Sequence, residues 1–287
     1  MSNIMSEKAR HTRQKIVEMA AVSGEGHVSS GLSCVEMLVA LYYSGVFKYD
    51  PLDPDWDERD RLWLSKGHGV LALYPILADV GYFPEKELMS FCSVDSRLGI
   101  HAEPHCPGIE AVFGSLAHGF GLATGASLAA KMDRKLHTNV VLMGDGECYE
   151  GQIWETAMFA AHHRLDNLVV MLDRNQMCVS GYTEHIVALE PLAMKWKAFG
   201  WEVHEADGHD CEMLEIELVD DIRSRRGRPK VIICETVKGK GVSFMEGVPL
   251  WHGVAITDQE QLGQARQELE PYQNEVVLNP FDRVPVQ

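Results

Sequence analysis

Apolar residues recur at helical spacing from Ser6 to Val22 and again from Leu32 to Tyr43, so the chain is expected to open on two amphipathic helices. An acidic, proline-containing loop spans Pro51 to Arg61 and leads into RLWLSKGHG, a short apolar run that reads as a strand ending in a glycine turn. Val70 to Val80 reads as a helix. From Gly114 the pattern becomes more regular: Ser115 stands where it would cap a small-residue helix, LAHGFGLATGASLAAKM, suited to close packing. Apolar β-like runs then recur at Asn139 to Met143, Leu168 to Leu172, Trp201 to Glu205 and Lys230 to Glu235. Helical stretches lie between them, around Trp154 to His163, Leu192 to Phe199 and Met213 to Arg225. This βαβ alternation predicts an α/β fold, a doubly wound and mainly parallel sheet with helices on both faces. Ligands of such sheets sit beyond the carboxyl ends of the strands, so the residues just after each strand are the candidates for chemistry. Past His252 the chain turns polar, and one exposed helix followed by a loose tail from about residue 270 is expected.

A chain of 287 residues buries roughly three quarters of its unfolded surface, enough for one large domain over residues 1–287 without disulfides or structural metals. No apolar run approaches the length of a membrane span. The first residues, MSNIMSEKARHTRQK, lack the apolar core of a secretory signal, and the seven cysteines include no CxxC pair, which points to free thiols in a reducing cytoplasm. A formal charge of −16 argues against nucleic acid as a partner. The one basic run, Arg223 to Lys230, reads as a helix end whose cations complement the dipole.

The run NVVLM ends in Gly144-Asp145-Gly146-Glu147, and a helix is expected from near Tyr149. Two glycines permit a tight turn, and the start of a helix offers free amides and partial positive charge to a phosphate. Asp145 would meet a bare pyrophosphate head-on, so a bridging cation is needed. Hard Mg²⁺ takes oxygen ligands, which the Asp145 carboxylate and the Asn175 side chain can provide. Asn175 follows the next strand, and one βα unit in a parallel sheet brings it beside Asp145.

The segment from Gly144 to Asn175 resembles the thiamine-diphosphate motif of transketolase-like enzymes. The resemblance implies that Asp145, Asn175 and the backbone carbonyl of Met177 hold Mg²⁺, or Ca²⁺ or Mn²⁺ in its place, while Gly144, Gly146 and Glu147 belong to the diphosphate loop. It also picks out four of thirteen histidines: His27 in SGEGHVSSG, His68 in SKGHG, His101 in LGIHAEP and His252 in PLWHG. By the same resemblance His68 and His252 contact the diphosphate, His27 and His101 face the donor sugar and the carbanion formed from it, and His252 also serves catalysis. Gly114, Ser115 and Leu116 lie against the thiazolium ring. Lys238 and Lys240 read as loop cations or as solvated side chains. His105 and His118 fall near site loops and stay unassigned; the other histidines, His204 and His209 among them, read as structural or solvent-exposed.

The resemblance runs from about Ser6 to Glu260 and covers only the diphosphate-binding domain of that family. It therefore implies a second chain carrying the pyrimidine-binding and C-terminal domains, a two-plus-two heterotetramer, and transfer of a two-carbon ketol unit between small sugars. Three departures bear on the sugar: Gly26-His27-Val28-Ser29 where GHPG is common, Ile100-His101-Ala102 where GHP is common, and His118 in place of a common Gln. They leave open which ketose is used and whether its anionic tail is a phosphate or a sulfonate. Other thiamine-diphosphate enzymes, of deoxyxylulose-phosphate-synthase or dehydrogenase type, remain an alternative. So do a Rossmann dinucleotide module, which Asp145 inside the glycine loop opposes, and a non-catalytic subunit.

Overall fold

Continuous apolar runs can be buried on both faces only if their backbone groups are paired, and four of them join the more polar, partly exposed EVHEAD strand at one edge in a single parallel sheet. The computed structural model describes residues 2–270, so the expected tail lies outside the described residues. The strands are β1 (Arg61–Leu64), β2 (Asn139–Gly144), β3 (Leu168–Arg174), β4 (Met177–Cys178), β5 (Gly181–Tyr182), β6 (Glu202–Asp207) and β7 (Lys230–Glu235). The sheet order is β1-β2-β3-β7-β6, and β4 and β5 form a separate antiparallel hairpin. The helices are α1 (Ser2–Ser23), α2 (Val28–Leu32), α3 (Val35–Tyr43), α4 (Val70–Asp79), α5 (His118–Met132), α6 (Gly151–His162), α7 (Thr183–Ile186), α8 (Leu192–Ala198), α9 (Cys211–Arg223) and α10 (Gln259–Glu268). Val140 to Met143 and Leu168 to Leu172 are fully buried at the centre. Among the described residues no helix is long and apolar enough to cross a membrane.

The α/β class, the parallel sheet and its strand positions match the expectation from sequence. Three details differ. The helix expected over Leu32 to Tyr43 is interrupted at Ser33 and Cys34, and the break lets Ser33 Oγ turn to Asp173 Oδ2 at 2.7 Å. Strand β7 inserts between β3 and β6, a crossover that periodicity cannot reveal. Ser115 does not cap α5: it is exposed, and the residue before the helix is Ala117, in left-handed conformation at φ 68°. Carboxylate and hydroxyl groups from outside the helix take over that work. Glu147 Oε1 accepts from Ala117 N at 2.7 Å, and Ser65 Oγ accepts from Phe120 N at 3.1 Å. Gly119 makes this possible, because a Cβ there would lie 2.7 Å from Ser65 Cα.

The basic run packs as expected against the end of α9. Arg225 Nη1 donates to Ile222 O at 2.9 Å, and Lys230 Nζ donates to Asp221 O at 2.5 Å. The mostly exposed helix expected past His252 is α10, which buries Leu262 and Ala265.

Candidate active site

The carboxyl ends of β1, β2, β3 and β7 open onto a cavity of about 340 Å³. Its lining includes His27, His68, His101, Gly114, Leu116, Gly144, Asp145, Gly146, Glu147, Asn175, Met177 and His252. Every residue assigned to the site from the sequence is thus brought to one place except Ser115, which is exposed and outside the lining. His105 and His118 are exposed and also lie outside it.

Register explains how residues thirty apart meet. Gly144 pairs with Asp173 across β2 and β3, so the turns that follow them are adjacent. Asp145 is buried; its Oδ1 accepts from Gly146 N at 2.7 Å, and its Oδ2 accepts from Gln176 N at 2.6 Å and from Arg174 Nη1 at 3.0 Å. Gln176, whose N–H reaches Asp145, adopts φ 64°, a strained setting for a residue with a side chain, and Asn175 and Met177 on either side of it line the cavity with Asp145. Asn175 Oδ1 accepts from Met177 N at 3.1 Å. A Cβ on Gly146 would come within 3.0 Å of Cys178 Cβ, tighter than ordinary contact, so the hairpin packs this closely on the loop because Gly146 is bare, and the Met177 carbonyl oxygen lies in ordinary contact range of the same position at 3.7 Å. Burial, reinforced by the Asp173 charge, pushes the Asp145 carboxyl up to about 6.

Beneath these groups is a buried ion pair that the sequence pattern does not signal. Lys66 Nζ lies 2.5 Å from Asp173 Oδ2, and both side chains are inaccessible to solvent. Asp173 also accepts from Ser33 Oγ, from Asn175 Nδ2 at 3.0 Å and from Thr236 Oγ1. Burial, the largest single influence, acts to raise the Asp173 pKa and lower that of Lys66, but their mutual attraction, together with the hydrogen bonds to Asp173 and the other acidic groups near Lys66, outweighs it in both. Lys238, offered from sequence as a loop cation or a solvated side chain, is 2% exposed and faces the cavity. Burial and the neighbouring Lys66 pull its ammonium down to about 8. Glu147 lines the cavity, but its carboxylate is committed to Ser65 Oγ, Ala117 N and Gly144 N, which fastens the diphosphate loop to the start of α5.

The four histidines form one cluster. His27 lies 5.4 Å from His68, 5.7 Å from His101 and 6.3 Å from His252 between ring centroids, and His68 and His252 are 5.5 Å apart. Burial first, and neighbouring cations second, depress His27 to about 4 and His252 to about 3, and push His68 well below its ordinary value. These three rings are neutral at pH 7. His27 Nδ1 and His252 Nδ1 are buried with no hydrogen-bond partner. Unpaired polar atoms, the unneutralised Lys238, and Gly114 and Gly144, where an added Cβ would meet nothing within 4 Å, describe a cradle shaped for an anionic, hydrogen-bonding ligand.

The depressed histidines carry a pH signature. Their folded values lie below the unfolded value of about 6.5, so the unfolded chain binds more protons as pH falls from 6.5 toward 4. Each lowers stability as pH falls through that window, by less than the limiting value of about 1.4 kcal/mol per pH unit because solvent partly screens the rings. Asp145, raised to about 6, acts in the opposite sense. The contribution is therefore read as a difference: His27→Asn and His252→Asn are each expected to flatten the decline in urea-unfolding free energy between pH 6.5 and 4. An unchanged slope would refute the burial of neutral rings.

The model of the domain described as "Transketolase, thiamine diphosphate binding domain" matches residues 4–279. The chain belongs to the transketolase thiamine-diphosphate-binding family. It is 43% identical over 260 residues to the 6-deoxy-6-sulfo-D-fructose transketolase subunit SqwG of Clostridium sp. (strain MSTE9), covering 89% of this chain and 92% of that relative. It is 42% identical over 250 residues to an apulose-4-phosphate transketolase subunit of Actinobacillus succinogenes, covering 86% of this chain and 90% of the relative. The solved transketolase of Campylobacter jejuni superposes with a TM-score of 0.87 at 30% identity, but 93% of this chain spans only 43% of that one. Membership of this family makes thiamine diphosphate the ligand class of the domain, and the subunit-sized relatives imply a partner chain.

Proposed function

We propose that this chain, a single diphosphate-binding domain, is the thiamine-diphosphate and metal-binding subunit of a two-chain transketolase that moves a two-carbon ketol unit from a ketose with an anionic tail to an aldose. The observation that carries the reading is the convergence of Asp145, Asn175 and the Met177 carbonyl beside four clustered histidines and Lys238 at one end of the sheet. Oxygen donors of the first three suit Mg²⁺, with Ca²⁺ or Mn²⁺ as substitutes. Thiamine diphosphate, when bound, supplies a nucleophilic carbon able to accept and pass on the ketol unit. The chain's own residues do the rest. His68, His252 and Lys238 donate to the diphosphate, Gly114, Ser115 and Leu116 border the thiazolium side, and His27, His101 and His252 bind sugar hydroxyls and move protons. Neutral imidazoles are suited to both, since each presents one donor and one acceptor nitrogen.

Two features support a partner. The subunit relatives are matched over almost their whole length, whereas the single-chain enzyme is matched over less than half. Apolar side chains are also exposed at the cavity rim: Val179 is 73% exposed and Ile186 47%, and Leu250, two residues from His252, is 81% exposed. Exposed apolar groups beside an open cavity suit burial by another chain. A two-plus-two heterotetramer in the cytoplasm, consistent with seven free cysteines, is the assembly we propose.

The test is a ketose-cleavage assay with this chain, its co-expressed partner, and the two mixed, across phosphorylated and sulfonated donors. The mixture is expected to transfer ketol units, and each chain alone to give less than about 1% of that rate, given that removing one member of a functional unit costs roughly as much as removing all. Full transfer by this chain alone would overturn the two-chain reading. The relatives named for a sulfonated and a phosphorylated sugar make both donor classes the ones to compare.

A further inference from the structure

Strand β6 and helix α9 assemble a second cluster of ligating side chains at the far end of the sheet. Glu202 and His204 are two apart on the strand and leave the same face; Glu217 and Asp221 are four apart on the helix and share one side of it. His204 Nδ1 lies 2.9 Å from Glu217 Oε2, while its Nε2 lies 3.5 Å from both Glu202 Oε1 and Asp221 Oδ1. One ligand atom each of Glu202, His204 and Asp221 falls within 4.8 Å of the others. Asp221 is fully buried, and neither of its carboxylate oxygens has a hydrogen-bond partner; His204 Nε2 lacks one as well. The nearby cations do not resolve this. Lys230 Nζ is spent on Asp221 O at 2.5 Å and on Ser224 O and Oγ, each at 2.8 Å, and Arg226 Nη1 reaches only Glu202 Oε1, at 2.5 Å.

A buried carboxylate with no donor costs several kcal/mol, so something positive belongs between these groups. A proton on Nε2 would draw a carboxylate oxygen to about 2.7–2.9 Å, the length of a charge-assisted hydrogen bond, and neither oxygen is that close. A metal with bonds of about 2.0–2.1 Å sets its ligand atoms about 3.3–3.4 Å apart along a tetrahedral edge, close to both observed separations. We propose that Glu202, His204 and Asp221 form a binding site for a borderline divalent cation, Zn²⁺ foremost, which pins α9 to the edge strand. Glu217 fixes the imidazole tautomer through Nδ1–H, leaving Nε2 as the ligand. One imidazole and two carboxylates suit Zn²⁺, Mn²⁺ or Co²⁺, and water completes the shell. The site is structural: Glu202 begins β6, at the opposite end of the strands from the cofactor cavity.

The test uses the untagged full chain, stripped with chelator and free of thiamine diphosphate. Wild type is expected to take up about one equivalent of Zn²⁺ with a rise in Tm, and Co²⁺ to give the visible absorption of a low-coordinate nitrogen and oxygen site. His204→Gln and Asp221→Asn should each weaken uptake at least about tenfold, and should do so equally in an Asp145→Asn background, where the cofactor-site carboxylate is absent. Glu202→Gln, a change at a partly exposed position, provides a third variant should a buried one fail to fold. The proposal is overturned if folded wild-type chain binds none of Zn²⁺, Mn²⁺ and Co²⁺, in which case His204 is held as an imidazolium, or if Glu202→Gln and His204→Gln bind as wild type does.

Discussion

Asp145→Asn, in the reconstituted two-chain enzyme, is expected to lower turnover by at least about 100-fold and to remove the dependence of cofactor binding on Mg²⁺. The carboxylate is the only charged member of the proposed oxygen set, so losing it removes most of the attraction for a divalent ion. The fold should survive the change. Arg174, which Asp145 partners, keeps Glu190 at 2.8 Å and Glu184 at 3.0 Å, and the amide replacing the carboxylate still has an oxygen for Gln176 N or Gly146 N. Circular dichroism and urea unfolding of the cofactor-free chain should therefore stay near wild type while turnover collapses. Unchanged turnover would place the metal elsewhere or make this chain non-catalytic.

Asp173→Asn should instead cost the fold about 3–5 kcal/mol, the usual consequence of stranding one charge of a buried pair. Lys66 would lose its counter-ion in a setting inaccessible to solvent, and Ser33, Asn175 and Thr236 would lose a shared acceptor. Those partners come from the α2–α3 break, the loop after β3 and the loop after β7, so one carboxylate ties together most of the cavity floor. Lys66→Met alone should be comparably harmful, because it strands the acid. The double variant should recover much of the loss, a coupling that urea titration of the four proteins measures directly. Additive losses would mean that the pair contributes nothing as a pair.

Much of this site could be read from the chain because its determinants are local. A glycine-flanked acid at one strand end and an asparagine at the next are fixed in space by the parallel register, and histidines in glycine-rich loops after apolar runs fall at the same end of the sheet. Other parts depend on partners distant in sequence. Lys66 and Asp173 look like ordinary turn and strand residues until β1, β2 and β3 lie side by side. Lys238 looks like a solvated loop lysine until the loop after β7 buries it in the cavity wall with His252 and Lys66. Ser115 had the right residue type for a cap, yet Glu147 and Ser65 reach the same amides from other elements, so the local signal was overruled by tertiary contacts. The His204 cluster escaped for the same reason, since neither E-x-H on a strand nor E-x-x-x-D on a helix is distinctive before the two are packed together.

The electrostatics of the cavity form a single scheme. The Lys66–Asp173 pair neutralises its floor, His27, His68 and His252 stay uncharged through burial, Asp145 is held at the cavity by Arg174 on one side, and Lys238 is left with a charge that an anion would satisfy. A diphosphate would meet the need of Lys238, and a divalent ion bound with it would let the Asp145 carboxylate face that anion.

Isothermal titration of thiamine diphosphate into the purified two-chain complex, with Mg²⁺ and with chelator, tests this most directly. The account predicts one equivalent bound per copy of this chain, only when a divalent ion is present, with binding at least about tenfold weaker when either chain is titrated alone. Equally tight binding in chelator, or tight binding to the partner in the absence of this chain, would contradict it.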